Sequence, residues 1–196
     1  MKNIKRLYLL FRLVFFWVVK KMNANKGIIE GYAIIFNQKS KKLGNFYEVI
    51  DAHALDNVDL SAVKCLLDHD TSKVLGSVKN KTLDLSIDDK GLRFKVTIPD
   101  TTYAKDLYTL VDRGDIDGCS FGFNVNEKDR SAQTVTKMSD GNYLRKVNKI
   151  EKLTEISIVS IPAYDSTVAT IKRDYDQAVK QYELEKLNTT LELLFL

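Results

Sequence analysis

From Gly27 to Ile161 the chain is cut into short runs of β-branched and aromatic residues, each ended by a turn signal. Many short strands so punctuated favour a mostly β fold. Gly27–Phe36 (GIIEGYAIIF) reads as a strand, and the polar stretch Asn37–Asn45 as a loop. Phe46–Ile50 is a short extended piece, Ala52–Ala62 a helical turn or loop, and Val63–Leu67 an apolar run ending in Asp68-His69-Asp70. Leu75–Ile87 and Leu92–Ile98 flank Asp88-Asp89-Lys90-Gly91 and predict a hairpin, closed by Pro99. Asp100 or Thr101 can cap a helix running through Asp112, with Leu107, Leu110 and Val111 as its apolar positions. Cys119–Val125 is a strand. Thr134–Met138 and Tyr143–Ile150 form a second hairpin around Ser139-Asp140-Gly141, and Leu153–Ile161 is an apolar strand stopped by Pro162. From about Thr170 the period becomes helical, with Tyr175, Val179 and Tyr182, then Leu184, Leu187, Leu191 and Leu194. The pattern predicts a mostly β (α+β) domain, a compact barrel or sandwich with few helices and a C-terminal helical tail.

Composition narrows the function classes. The chain has 196 residues, 44% of them hydrophobic and 29% charged, which suits a folded domain with a real core. A net charge of +4, spread along the chain without a basic stripe, does not argue for nucleic acid. Cys65 and Cys119 are too few for a disulfide framework and fit a reducing compartment. His53 and His69 lack Cys or His neighbours at zinc spacing, so no metal and no cofactor is expected. Leu7–Val19 is apolar except for Arg12 and is flanked by lysines. It is shorter than the ~20 residues of a membrane-spanning helix, and no small-residue cleavage site follows it. Translation from Met1 and from Met22 are equally open readings, and stable membrane association is not expected. The expected division is a basic and apolar extension over 1–22, a β domain over 23–170 and a helical tail over 171–196.

Three polar residues sit at the edges of apolar runs: His69 after Val63–Leu67, Ser120 inside Gly118-Cys119-Ser120-Phe121-Gly122-Phe123, and Glu155 opening Glu155-Ile156-Ser157-Ile158-Val159. A serine nucleophile needs a base, and the base needs a third group to fix its tautomer and stabilise its charge. Each residue alone has a plainer explanation. A histidine beside aspartates is commonly a surface residue, a strand serine commonly packs, and a strand-opening glutamate is commonly solvated. Cys119, a strand neighbour of Ser120, would face the opposite side of the sheet and read as core.

Taken together, the blocks resemble the prohead serine proteases of tailed phages. The resemblance rests on Gly31-Tyr32-Ala33 through Phe36-Asn37, on Leu66-Leu67-Asp68-His69-Asp70 with Leu75-Gly76, on Ser120-Phe121-Gly122-Phe123, and on Glu155-Ile156-Ser157-Ile158-Val159 with Pro162-Ala163-Tyr164. It covers about Gly27 to Ile171. It implies a β-barrel similar in fold to the herpesvirus assembly proteases, and His69 as general base, Ser120 as nucleophile and Glu155 as third member; Asp70 and Asp165 are rivals for the third place. It also implies an endopeptidase acting by an acyl-enzyme in the host cytoplasm, inside the immature capsid. Its expected substrates are the phage major capsid protein and scaffold protein, and the protease itself; a homo-oligomer is compatible. The alternative is a non-catalytic β-barrel module of virion assembly, separated from the first reading by whether His69 and Ser120 come within hydrogen-bond reach.

Overall fold

The computed structural model describes residues 27–171 except 127 and 166. Eleven strands and one helix follow in the order β1 (Ile28–Ile35), β2 (Phe46–Ile50), β3 (Lys64–Leu67), β4 (Asp70–Ser77), β5 (Leu83–Ile87), β6 (Gly91–Thr97), α1 (Thr102–Arg113), β7 (Gly118–Asn124), β8 (Gln133–Lys137), β9 (Tyr143–Val147), β10 (Lys152–Val159) and β11 (Val168–Ile171) among the described residues. They pair as three sheets, ordered β11-β1-β6-β5, β4-β3-β10-β7 and β2-β9-β8. The mostly β expectation is therefore met. The expected closed barrel is not: each sheet keeps two edge strands among the described residues, and only one helix accompanies them. The N-terminal run Leu7–Val19 and nearly all of the expected helical tail lie outside the described residues. No described helix is long and apolar enough to cross a membrane.

Both predicted hairpins form. β5 pairs β6 through Ile87↔Leu92, and β8 pairs β9 through Lys137↔Tyr143. The run read as one strand over Leu75–Ile87 divides instead. Its first part ends β4 in one sheet, and its second part is β5 in another, with a turn at Val78–Lys81 between them. β11 replaces the expected onset of helix near Thr170, because antiparallel pairing with β1 (Ile29↔Ile171, Tyr32↔Val168) outweighs the local helical spacing.

The faces that these strands share close over one core. Ile29, Ile34, Leu75, Leu92, Phe94, Ile156 and Ile158 are all fully or almost fully buried within it. α1 adds Ala104, Leu107 and Val111 to this core, whereas Leu110 turns to solvent at 37% exposure. The helix starts at Thr101, but the expected hydroxyl cap is not made: Thr101 Oγ1 is buried without a partner. Its other end closes on Gly114 in the left-handed conformation (φ 78°), whose N–H caps the last carbonyls.

Candidate active site

The site sits on the sheet β4-β3-β10-β7, and its geometry begins with a turn. β3 and β4 are joined by Asp68 and His69 alone, with φ of 47° and 59°. Two consecutive positive φ values are what a tight hairpin with right-handed twist demands, usually of Asn-Gly or Asp-Gly. Here the second position carries an imidazole, at a steric cost that surrounding bonds must offset. Asp68 N–H donates to Ile158 O at 3.0 Å, and Ser160 N–H donates to Asp68 Oδ1 at 2.9 Å. His69 N–H donates to Ser157 Oγ at 3.2 Å. These bonds dock the turn on β10, which runs parallel to β3 with Leu67 opposite Ile158.

β10 supplies the acid. Its pairing with β7 slips between Leu153 and Glu155, so that Thr154 is an extra residue and Glu155 lies opposite Gly122. A bulge of this kind re-aims the side chains that follow it. From there the period of two places Glu155 and Ser157 on one face, with Ser157 directly opposite Ser120. Ser120 therefore shares a face with Glu155 and Ser157. The glycine at 122 leaves room for the carboxylate: a Cβ there would lie 2.9 Å from Glu155 Oε1 and 2.7 Å from Thr154 Oγ1. Gly118 makes similar room for the ring of Pro162, whose Cγ would be 2.6 Å from a Cβ at that position.

His69 Nδ1 lies 2.8 Å from Glu155 Oε1. A carboxylate oxygen accepts, so Nδ1 is the donor and Nε2 is left to accept a proton. The second carboxylate oxygen, Oε2, accepts a short 2.5 Å bond from Ser157 Oγ. Glu155 is largely enclosed and the His69 ring half-exposed, with side-chain exposures of 15% and 50%. Ser120 is 9% exposed, and no hydrogen bond joins its hydroxyl to the ring in the structure. The geometry thus joins two of the three predicted residues directly and sets the third across the strand pair from Ser157. The two rival acids are engaged elsewhere. Asp70 accepts from Ser72 and pairs with Lys73 at 3.3 Å, and Asp165 pairs with Lys41 at 2.9 Å in the open.

The residues after β10 brace the strand that carries Ser120. Thr167 Oγ1 accepts Cys119 N–H at 3.3 Å and lies 2.6 Å from Cys119 O. The Tyr164 ring stacks on Phe121 at 5.7 Å between centroids, and Phe121 stacks on Phe123 at 5.6 Å. Tyr164 Oη donates to Glu48 Oε1 at 3.0 Å, and Arg145 Nη1 donates to Glu48 Oε2 at 3.0 Å. Burial and the adjacent Glu48 carboxylate push the Tyr164 hydroxyl well above the usual tyrosine range. This network ties the β2-β9-β8 sheet to the strand that carries Ser120. Arg145→Met would leave the Glu48 carboxylate, 7% exposed, without its counter-ion. The expected cost is about 3 kcal/mol of stability, or roughly 10 °C in the thermal midpoint. Adding Glu48→Gln to the same chain should recover much of the loss, and an unchanged midpoint in the single variant would refute the argument.

Cys119 is buried, and burial pushes its thiol far above the ordinary range. It stays a thiol and packs in the core on the face opposite Ser120, as its sequence position suggests. His53 lies at the surface, 3.1 Å from Asp56, away from the site. Among the described residues no cluster of acidic, histidine or cysteine side chains could hold a metal ion.

A family model, the caudovirus prohead serine protease, matches residues 17–181. The chain belongs to that family. It is accordingly a serine peptidase with a role in capsid maturation, its substrate class is the capsid proteins, and the phage capsid is its place of action. Among solved structures, the KSHV protease in complex with a hexapeptide phosphonate inhibitor is similar, with a TM-score of 0.48 and 14% identity. That match covers 79% of this chain and 68% of the other. No curated protein matches the chain.

Two features of the candidate site were not read from the sequence. Ser157 was hidden among the apolar residues of β10, although its spacing of two from Glu155 was a usable signal. The Asp68-His69 turn was hidden because it contains no glycine.

Proposed function

We propose that Ser120 is the nucleophile, His69 the general base and Glu155 the group that orients and charges-balances the imidazole. The observation that carries this reading is the 2.8 Å bond from His69 Nδ1 to Glu155 Oε1, made on the sheet face that Ser120 also occupies. It fixes the tautomer in which Nε2 can take a proton. Ser120 Oγ attacks the scissile carbonyl carbon as its proton passes to His69 Nε2. The imidazolium, balanced by Glu155, then protonates the departing amine as the tetrahedral intermediate collapses. An acyl ester on Ser120 remains, and water attacks it by the same proton transfers in reverse. The missing Ser120–His69 bond would be made on substrate binding, since catalytic hydrogen bonds in unliganded sites are often long.

The substrates we propose are the scaffold protein, the scaffold-like segment of the major capsid protein, and the protease's own chain, with Leu191–Leu196 as an apolar segment for self-removal. Action inside the closed immature shell would confine a general protease to these targets.

The test uses a fluorophosphonate, which needs an activated serine. Oγ bonds to phosphorus, fluoride leaves, and the serine proton goes to the base. One adduct mapped to Ser120, with parallel loss of capsid-protein processing, is the expected result. An adduct at another residue, or processing that survives full labelling, would overturn the assignment.

A further inference from the structure

Ser157 takes no part in the proton transfers above, yet it touches both the base and the acid that orients it. It is completely buried. Its hydroxyl hydrogen goes to Glu155 Oε2 at 2.5 Å, and its lone pair accepts His69 N–H at 3.2 Å. A hydroxyl has one proton to give, and here it is committed to the carboxylate. One side chain therefore bonds the backbone of the base and the carboxylate that orients the base.

We infer that Ser157 is a positioning residue of the protease, acting through Glu155 and the His69 turn. Two constraints meet at its hydroxyl. The first concerns the acid. A carboxylate held by one oxygen can swing about its last torsion, which is broad and soft. Glu155 is held by both: Oε1 on His69 Nδ1 and Oε2 on Ser157. The second concerns the base. His69 has a positive φ of 59°, a conformation that a bulky residue keeps only when its surroundings enforce it. The bond from His69 N–H to Ser157 Oγ is one of those enforcing it. Small displacements of a catalytic group are costly to rate, so losing this hydroxyl should slow the chemistry while the sheet stays paired.

This inference rests on the protease reading, and the test separates the two. The probe is diisopropyl fluorophosphate, and the readout is the second-order rate of phosphorylation at Ser120, in which Oγ displaces fluoride from phosphorus. In Ser157→Ala the rate should fall on the order of tenfold to a hundredfold, with the thermal midpoint still that of a folded protein. Ser157→Thr, which keeps the hydroxyl, should restore most of the rate. Ser157→Cys fills the same space with a weak donor and should be slow, which covers the case of an alanine variant that does not fold. The decisive measurement is the cycle with Glu155→Gln. Because both bonds serve the placement of one base, which Glu155→Gln already disturbs, adding Ser157→Ala to Glu155→Gln should cost clearly less than Ser157→Ala costs the wild-type chain. Losses that simply multiply would overturn the inference, and so would a full rate in both Ser157→Ala and Ser157→Cys. A wild-type protein that takes no label at Ser120 would overturn the protease assignment and this inference with it.

Discussion

Ser120→Ala is expected to stop capsid-protein processing, with turnover falling on the order of 10^6-fold. The alanine chain keeps the strand pair: Ser120 makes no side-chain hydrogen bond among the described residues, and its partner across the pair, Ser157, stays bonded to Glu155. Folding should therefore be unaffected, and the loss is chemical. Residues of one proton-transfer unit fail together, so His69→Ala alone should lose about as much as Ser120→Ala, and the double variant should be no worse than either. Co-expression with the capsid and scaffold proteins, read by intact mass, checks this. Processing that persists in the folded Ser120→Ala protein would remove Ser120 as nucleophile. Losses that multiply in the double variant would show that the two residues do not act as a unit.

Glu155→Gln should reduce turnover by about 10^4 while leaving the fold intact. The direction follows from the donors around the carboxylate. Ser157 Oγ donates to one oxygen and His69 Nδ1–H to the other. A glutamine has one acceptor and one donor at these two places. With its oxygen on Ser157, its amide nitrogen faces Nδ1 and selects the tautomer with the proton on Nε2, which cannot accept from Ser120. With its oxygen on Nδ1 instead, the amide hydrogen confronts the Ser157 hydroxyl, and the imidazolium formed during reaction has no counter-charge. Either arrangement impairs the step that generates the nucleophile. Equal loss in kcat and in kcat/KM, with KM unchanged, is the expected kinetic signature. A Glu155→Gln enzyme within tenfold of wild type would assign the orienting role elsewhere, and Asp70→Asn and Asp165→Asn would then be the variants to measure.

Much of this architecture was legible before any coordinates. β1, β2, β3, β6, β7, β9 and β10 fall within runs that read as extended from the sequence, because steric preference and turn chemistry are local properties of the chain. Both glycine-marked hairpins were legible for the same reason. What local pattern could not give was the break of Leu75–Ile87 between two sheets, since both parts satisfy a strand pattern and only pairing partners distinguish them. Nor could it give β11, whose extended form depends on β1 lying beside it.

The same division runs through the proposed site. The residue types were set by the sequence: a serine, a histidine and a glutamate, each at the edge of an apolar run, in blocks that match a protease family. Their arrangement was decided by three non-local features. The parallel pairing of β3 with β10 delivers the His69 turn to Ser157, 88 positions further along the chain. The bulge at Thr154 sets which residues of β10 face Gly122 and Ser120. The bare backbone of Gly122 admits the Glu155 carboxylate. Spacing along one strand fixes which side chains share a face, because the period is two everywhere. Which face meets which, and in what register, depends on free energy summed over strands far apart in sequence, and that sum exists only once the sheets are packed.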